Sequence, residues 1–332
     1  MKHSNILVSV IMCVYNTKEE YLIEAVNSIL NQTHQNFELF IVDDCSTQNL
    51  FTNEIFLDKR IVFLKTPVNS GAAVSRNLAL DKAKGKYIAI MDSDDISLAD
   101  RLSVQIDFME NNTDVVVCGT WFKHIGCKNN TVKRVIDDND YYRCCLLFGN
   151  VPTLLNPSAM IRRDIIEKNH IRYDPFLRLA QDYGLWTVLS RYGRITILKK
   201  VLLLYRIHES QVTNHNYRSR QTLKYDTYIH LKQIEELGIV LTENEKNMLS
   251  MDYYDKRVKP IPYYNFLRSL LEANLKASIY AQDKLEKRVK EQWESKILNI
   301  KNLFLIIWML LVMNGERKHI LNLKFKQLFR KL

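Results

Sequence analysis

The amino-acid sequence predicts an α/β fold with a largely parallel central sheet, and two observations support this prediction. Strand-like and helix-like segments alternate along roughly the first hundred of 332 residues, which is the pattern of repeated β-α-β units. Several strand-like segments are short and continuously apolar, as expected of strands that helices cover on both faces. We therefore expect a Rossmann-like sheet, flanked by helices, at the start of the chain.

The predicted elements follow one another with short connections. Mostly apolar segments of four to seven residues mark the strands, and apolar residues at helical spacing mark the helices between them. The order is strand 8–14, helix 18–31, strand 37–42, strand 61–64, a turn at 67–71, a helix to about 84, strand 87–91, helix 98–110 and strand 115–118.

The rest of the chain has a different texture. Residues 150–206 are irregular, with a helix expected over 182–192, whereas the chain from about residue 219 onward is mainly helical. Long amphipathic stretches occur at 224–237 and 241–255. We expect a domain boundary near residue 215, which gives an α/β domain over residues 1–215 and a helical C-terminal region over 216–332.

Acidic side chains follow two predicted strands at the point where each strand ends. Asp92-Ser93-Asp94-Asp95 comes after strand 87–91, and Asp43-Asp44 comes after strand 37–42. Because ligands bind at the carboxyl ends of strands in open α/β sheets, these side chains should face one crevice. One carboxylate can bind a base or ribose, and another a hard cation such as Mn²⁺ or Mg²⁺. The alternative is an acidic turn in which Asp95 or Ser97 caps a helix beginning near Leu98.

Composition and charge exclude several classes of protein. Hydrophobic residues make up 47% and charged residues 25% of the chain, and no signal peptide is visible, so we expect a cytoplasmic protein. The six cysteines lack paired metal-ligand spacing and are expected to be reduced. Residues 283–332 carry twelve Lys or Arg against five Asp or Glu, so most of the net charge of +10 lies in the tail. No nucleic-acid motif accompanies this charge, and we expect no nucleic-acid partner.

The tail contains a continuous apolar run over residues 303–313 with basic residues on both sides. As a helix this run would span about 17 Å at a rise of about 1.5 Å per residue. The hydrocarbon layer of a membrane is about 30 Å thick, so the run is too short to cross it. It suits a surface anchor that combines apolar insertion with attraction to anionic lipid. A buried helix is the alternative.

Several segments together resemble the inverting family-2 glycosyltransferases of the GT-A fold. They are Val8-Ser9-Val10-Ile11-Met12-Cys13-Val14-Tyr15-Asn16, Asp43-Asp44-Cys45-Ser46, Asn69-Ser70-Gly71 followed by Ser75-Arg76-Asn77, and Gly85-Lys86-Tyr87 running into the acidic cluster. The resemblance covers residues 6–125 strongly and 150–212 more loosely. It implies a UDP-sugar donor, with Tyr15 and Asp44 near the base. It also implies that Arg76 lies close to the nucleotide, Asp92 near the ribose and Asp94 on the metal.

Two later segments resemble the same family. Asp182, before Tyr183 and Trp186, matches the catalytic base, but Gln181 stands where the family usually has Glu, which removes one possible reason for a raised pKa. The alternative is that Asp182 caps the helix ahead of Tyr183, and only the resemblance favours the base. His208 is implied to approach the metal or the diphosphate, although a lone histidine in a loop is usually just solvated.

A second departure concerns the acceptor. Asn156-Pro157 stands where many relatives have His-Pro, in a part of the site that is implied to contact the acceptor.

The resemblance implies transfer of glucose, galactose or an N-acetylated form of either, with inversion, to a hydroxyl of a lipid-diphosphate-linked saccharide or an oligosaccharide. The basic, apolar tail suggests a peripheral enzyme on the inner face of a bacterial membrane, in O-antigen or capsule synthesis. Two other classes stay open. A nucleotidyltransferase would need a glycine-rich phosphate loop where this chain has Tyr15-Asn16-Thr17-Lys18-Glu19-Glu20. A non-catalytic scaffold would not need both Asp94 and Asp182.

Overall fold

The structure, a computed structural model, describes most of the chain. The described residues are 3–48, 51–127, 129–149, 154–209, 220–250 and 260–298. The chain divides into two compact units, the first from Met1–Asn139 with Val151–Thr222 and the second from Asp140–Asn150 with Leu223–Leu332. The expected division at residue 215 stays a prediction, and the apolar run 303–313 lies outside the described residues.

The first unit is built on a sheet that has nine strands within the described residues. They are β1 Val8–Val14, β2 Phe37–Asp43, β3 Ile61–Lys65, β4 Tyr87–Asp92, β5 Ile96–Ser97, β6 Val115–Gly126, β7 Thr131–Val132, β8 Met160–Arg162 and β9 Arg194–Ile207. The strand order is β3-β2-β1-β4-β8-β6-β9-β5, with β7 paired to β6. Strands β1 to β4 are parallel, whereas β8 is antiparallel to both of its neighbours. The sheet therefore changes direction at β8.

Strand β1 lies between β2 and β4, which explains its mostly apolar sequence. All of its residues except Cys13 are buried. The first helix shows the complementary pattern, since it buries Leu22, Ala25, Val26 and Ile29 at intervals of three and four residues. This arrangement confirms the predicted β-α-β reading of the first hundred residues.

The helices of the first unit are short. They are α1 Glu19–Leu30, α2 Ala72–Leu80, α3 Arg101–Asn111, α5 Arg163–Lys168 and α6 Gln181–Leu189, while α4 Asn139–Leu146 leads into the second unit. Helix α2 ends four residues before its predicted end, and α6 ends three residues before its own.

The chain after the acidic cluster does not enter a helix directly. Ile96 and Ser97 form β5, which pairs with β9, and α3 begins only at Arg101. The residue before it, Asp100, makes no side-chain cap hydrogen bond. The predicted helix start near Leu98 is therefore wrong, because a strand pairing holds this part of the chain extended.

The two proposed capping residues have other partners. Asp95 is fully buried, and its Oδ1 accepts a hydrogen bond from the backbone N–H of Arg206 at 2.9 Å. The Ser97 hydroxyl accepts one from Gln32 Nε2 at 3.1 Å. The helix-capping alternative for Asp95 or Ser97 is therefore wrong, and the acidic loop is instead joined to β9.

Strands β6 and β9 are much longer than the sequence pattern indicated. Strand β6 continues to Gly126, and β9 spans fourteen residues of a region that we expected to be irregular. The two strands pair in parallel over most of their length, with breaks in register near Thr120 and Trp121. These breaks interrupt the two-residue alternation by which a long strand is recognised in a sequence.

The second unit is helical, as predicted. Its remaining described helices are α7 Arg220–Glu236, α8 Glu243–Ser250, α9 Pro260–Ala277 and α10 Gln282–Leu298. Their core includes Leu270 and Leu285, both fully buried, with Phe266 and Leu267 beside them. Among the described residues of the chain, no helix combines the length and apolarity needed to cross a membrane.

Candidate functional site

The two acidic segments meet at one edge of the sheet, as predicted. In the pairing of the parallel strands, Cys13 of β1 lies opposite Asp92 of β4 and opposite Val42 of β2. Asp44 follows directly after β2, and its backbone N–H bonds to the carbonyl of Val14 at 2.8 Å. The carboxyl ends of three neighbouring strands therefore surround one crevice.

Asp44 organises the loop that leads into α2. Its Oδ1 accepts hydrogen bonds from the Thr66 hydroxyl at 2.8 Å and from the Ser70 N–H at 2.9 Å, and its Oδ2 accepts the Gly71 N–H at 2.7 Å. Gly71 has a φ of 90°, which favours glycine because the residue has no Cβ. The Asp44 carboxylate is thus buried and holds its own loop, and its role toward a base stays a prediction.

Tyr15 stands at the rim of the same crevice and is 49% exposed. A turn after β1 presents it, in which Asn16 has a positive φ of 49°. The Asn16 side chain accepts hydrogen bonds from the backbone and hydroxyl of Thr47, and the Asn16 N–H donates to Ser46 Oγ at 3.0 Å. The chain segments after β1 and β2 are therefore joined, and the Tyr15 ring is available to a ligand.

Arg76 of α2 lies at the bottom of the site and is only 5% exposed. Its Nη2 lies 3.2 Å from Asp92 Oδ1, and its guanidinium carbon lies 5.4 Å from the centre of the Tyr173 ring. Its Nη1 is buried and has no hydrogen-bond partner among the described residues. A buried donor without a partner is costly, so this nitrogen is a natural contact for a polar ligand.

Asp182 lies in the first turn of α6, after Ala180, whose backbone is left-handed with a φ of 58°. Its Oδ1 accepts the N–H of the next residue, Tyr183, at 2.9 Å. Burial raises the pKa of Asp182, and this hydrogen bond and the charge of Arg76 oppose the increase. The missing Glu at position 181 is therefore not needed for a raised pKa, because burial provides it.

Asp92 belongs to the same charged group. Burial raises its pKa to about 6, the Arg76 guanidinium opposes the increase, and the negative charges of Asp94 and Asp182 add to it. Two carboxyls thus interact with one buried arginine. The structure places Asp182 close enough to Arg76 and Asp92 for these charges to act on one another.

Asp94 and His208 come together although 114 residues separate them. The distance between Asp94 Oδ2 and His208 Nε2 is 2.8 Å, and both side chains are partly exposed. Neighbouring ligands of an octahedral ion lie about 3.0 Å apart when each bond is about 2.1 Å, so the pair fits one divalent cation.

The pair would be a partial ligand set. Within the described residues, no cluster of three or more His, Cys, Asp or Glu side chains is arranged to hold a metal. Mg²⁺ commonly takes one or two protein ligands and completes its shell with phosphate oxygens and water. The donor set therefore fits a cation that arrives with a diphosphate.

Sequence reasoning missed Arg206, which binds the loop of Asp94. Its backbone N–H donates to Asp95, its Nε donates to the Asp94 carbonyl at 2.8 Å, and its Nη2 forms an ion pair with Glu24. Its guanidinium carbon also lies 4.3 Å from the centre of the Tyr21 ring. The available signal was its position in the sequence, two residues before His208.

The acceptor side of the site is partly occupied by protein contacts. Asn156 is 6% exposed, and its Oδ1 accepts a hydrogen bond from the Tyr173 hydroxyl at 3.4 Å. Its predicted contact with an acceptor stays a prediction.

A separate apolar cavity of about 340 Å³ opens at the ends of β2 and β3. Phe51, Phe56 and Phe63 line it, and the ion pair of Asp43 with Lys65, at 3.0 Å, provides its polar wall. None of the predicted site residues lines this cavity. We therefore place the chemistry in the crevice of Asp92 and Asp182 and not in this apolar cavity.

Comparison with known proteins gives three results. The family model described as glycosyl transferase family 2 matches residues 9–169. An uncharacterized glycosyltransferase of Methanocaldococcus jannaschii is 37% identical over 234 residues, which are 68% of this chain and 78% of that protein. TuaG of Bacillus subtilis, a glycosyltransferase provisionally named for teichuronic acid biosynthesis, is 45% identical over 108 residues, 31% of this chain and 42% of TuaG.

A solved structure matches over a longer range. Residues 1–349 of S. aureus TarS, solved in complex with UDP-GlcNAc, superpose with a TM-score of 0.58 at 22% identity, covering 87% of this chain and 91% of that one. The same protein solved in complex with UDP gives a TM-score of 0.55 at 21% identity. At these identities the likeness shows a shared fold.

Proposed function

The chain belongs to glycosyl transferase family 2, and from this premise we propose that it transfers a hexose, with inversion, from a UDP-sugar to an acceptor hydroxyl. The fold is the GT-A fold that the sequence predicted. The observation that carries the proposal is the buried Arg76, which forms an ion pair with Asp92 at the sheet edge and whose charge acts on Asp182 of α6. This group combines a donor-side carboxylate, a cation and a candidate base.

The donor nucleotide is proposed to lie across the ends of β1, β2 and β4. Tyr15 is an exposed aromatic ring at the rim and suits contact with the uracil base, with Asp44 beside it. Asp92 would bind the ribose, and the unpartnered Nη1 of Arg76 would bind an oxygen of the nucleotide. The binding of UDP and UDP-GlcNAc by TarS, which has the same fold, supports a UDP-sugar.

Asp182 is the proposed base. It removes the proton of the acceptor hydroxyl as that oxygen attacks the anomeric carbon from the face opposite the leaving UDP. An α-linked donor therefore gives a β-glycoside. The raised pKa of Asp182 supports this role, because it makes the carboxylate a stronger proton acceptor than an exposed aspartate.

Asp94 and His208 are the residues proposed to hold Mn²⁺ or Mg²⁺. When bound there, the cation would offset the negative charge that develops on the departing diphosphate. Asp94 supplies an anionic oxygen for this purpose, and His208 supplies a ring nitrogen. The His208 ring also packs against the Tyr21 ring, with 5.4 Å between the two ring centres.

The acceptor is proposed to be a lipid-diphosphate-linked saccharide or an oligosaccharide, and the product a surface polysaccharide such as O-antigen or capsule. The similarity to TuaG supports a cell-surface polymer. The twelve basic residues of 283–332 support a location on the inner face of the cell membrane, where a lipid-linked acceptor is found.

Release of UDP tests the proposal. The purified chain is incubated with Mn²⁺, a lipid-diphosphate sugar acceptor and, in turn, UDP-glucose, UDP-galactose and their N-acetylated forms. We expect acceptor-dependent UDP release with one of these donors and a β-linked product by NMR. Release no faster than the acceptor-free background with all four donors would instead favour a non-catalytic scaffold.

Calorimetry tests the metal ligands. We expect UDP to bind the unmodified chain at least about tenfold more tightly with Mn²⁺ than without it, and Asp94→Ala to remove this difference. Equal affinity with and without Mn²⁺ in the unmodified chain would show that the pair does not hold a cation.

A further inference from the structure

The segment that carries Asp182 begins with an irregular stretch in which one asparagine bonds the backbone of a buried tyrosine. Residues 172–178 form no helix or strand, yet Tyr173 is fully buried. Asn77 of α2 bonds both the N–H and the carbonyl of Tyr173. The Asn77 Nδ2 donates to the Tyr173 carbonyl at 2.8 Å, and the Tyr173 N–H donates to Asn77 Oδ1 at 2.9 Å.

Two further contacts extend this attachment along α2. Arg172 Nε donates to Asp81 Oδ1 at 2.8 Å, just past the end of the helix. Arg178 Nη1 contacts Asn69 Oδ1 at 3.2 Å, just before the start of the helix. Residues 172–178 therefore run beside α2 in the opposite direction, and we name residues 172–182 the base segment.

This attachment gives the backbone of Tyr173 the partners that a strand would otherwise provide. Buried backbone N–H and carbonyl groups need partners, and the base segment has no strand neighbour at Tyr173, so the Asn77 side chain takes that place. Arg76, the residue before Asn77, faces the Tyr173 ring and the charges of Asp92 and Asp182. Helix α2 thus carries Arg76, on the donor side, and also binds the base segment, which ends at Asp182.

We propose that Asn77 is a positioning residue for the transfer: by bonding both backbone groups of Tyr173 it sets where Asp182 stands relative to the donor. This proposal rests on the proposed function, because it takes Asp182 as the base. Asn77 contacts neither donor nor acceptor in this account. It acts through the base segment.

The chain offers a matched control in the second unit. Asn274 makes the same pair of bonds, with its Nδ2 donating to the Tyr280 carbonyl at 2.9 Å and the Tyr280 N–H donating to its Oδ1 at 2.9 Å. Asn77→Ala and Asn274→Ala each remove one such attachment. We expect similar decreases in Tm for both variants, but a decrease in kcat for Asn77→Ala only.

The expected decrease in kcat is about tenfold or more, since a shift of about 1 Å in a reacting group can cost about a hundredfold. The affinity for UDP, measured by calorimetry, should stay within about twofold of the unmodified chain in both variants. Equal kcat values for Asn77→Ala and the unmodified chain would overturn the proposal, as would an equal loss in Asn274→Ala.

A double variant shows whether Asn77 acts through Asp182. In the Asp182→Asn background, Asn77→Ala should cause no further loss of the residual rate, because the group that it positions is gone. The same fold-loss in both backgrounds would overturn the proposal. If Asn77→Ala does not fold, Asn77→Asp keeps the acceptor for the Tyr173 N–H and loses only the donor. A wild-type kcat in that variant would then overturn the proposal.

These outcomes differ from a failure of the proposed function. An unmodified chain that transfers no sugar from any donor contradicts the function. An active chain that is inactivated by Asp182→Asn and unaffected by Asn77→Ala contradicts only the role of Asn77.

Discussion

At the scale of single residues, the site depends on how one buried arginine is shared. Arg76 forms an ion pair with Asp92 at 3.2 Å and also acts on Asp182 through its charge. Burial favours the protonated form of each carboxyl, and the guanidinium favours the ionised form. Asp92 has the arginine in direct contact, whereas Asp182 accepts a hydrogen bond from the Tyr183 N–H and interacts with the arginine through its charge.

Asp182→Asn tests the base directly. The amide is nearly the same size but cannot accept the proton of the acceptor hydroxyl, so kcat should fall by about 10²–10⁴-fold. UDP affinity should stay within about twofold by calorimetry, because Asp182 is not placed on the nucleotide. An unchanged kcat would remove Asp182 from the mechanism.

The pH dependence of kcat follows from the raised pKa of Asp182. Burial moves this pKa above its ordinary value of 3.8, and only the ionised carboxylate accepts a proton. We therefore expect kcat to be highest above the pKa of Asp182 and to fall as the pH drops through it. The fall should begin at a higher pH than an exposed aspartate would give, in assays over about pH 4 to 8 at saturating donor.

Two variants assign this acidic limb of the pH profile. The residual rate of Asp182→Asn should lack the limb, and Asp92→Asn should keep it. The reverse pattern would assign the limb to Asp92, whose pKa burial raises to about 6. Circular dichroism across the same pH range would show whether the chain stays folded.

At the scale of elements, the end of β9 is what brings a histidine to the acidic loop of β4. Arg206 is the second-last residue of β9. It bonds to Asp95 through its backbone and to the Asp94 carbonyl through its side chain. Helix α1 supports the same arginine from the other side through Glu24 and Tyr21. The loop after β4, the end of β9 and helix α1 thus together keep the Asp94 and His208 side chains next to each other.

Arg206→Met should loosen this arrangement without removing either proposed ligand. We expect the Mn²⁺-dependent gain in UDP affinity to shrink by about tenfold or more, as second partners of metal ligands commonly contribute. Arg194→Met is the matched control, since Arg194 begins the same strand and forms an ion pair with Asp114 at 2.8 Å. Electron paramagnetic resonance measures Mn²⁺ binding in each variant. An equal decrease in the two variants would contradict a specific role for Arg206.

At the scale of the whole molecule, charge is distributed unevenly. The net charge is +10, and residues 283–332 carry seven more basic than acidic residues. Anionic lipid attracts such a segment by about 1 kcal/mol for each Lys or Arg near the surface. The sequence therefore predicts that the tail binds membranes while the first unit carries the site residues.

Deletion of residues 299–332, which keeps all the described residues of α10, tests this division of roles. The shortened chain should lose binding to vesicles of anionic lipid in a flotation assay and keep its kcat on a soluble acceptor analogue. Vesicles of neutral lipid serve as the control for charge. Full retention of the shortened chain on anionic vesicles would show that the tail is not the anchor.

The sequence by itself determined the β-α-β order, the buried strands and the acidic strand ends, because apolar runs and their period are local properties of the chain. Only the tertiary structure decided which distant residues meet. His208 reaches Asp94, Arg206 reaches Asp95, and Asn77 replaces a strand neighbour for Tyr173. Each of these contacts joins residues 96 or more positions apart. Such contacts depend on strand pairing and register across the whole sheet, which no local pattern in the sequence encodes.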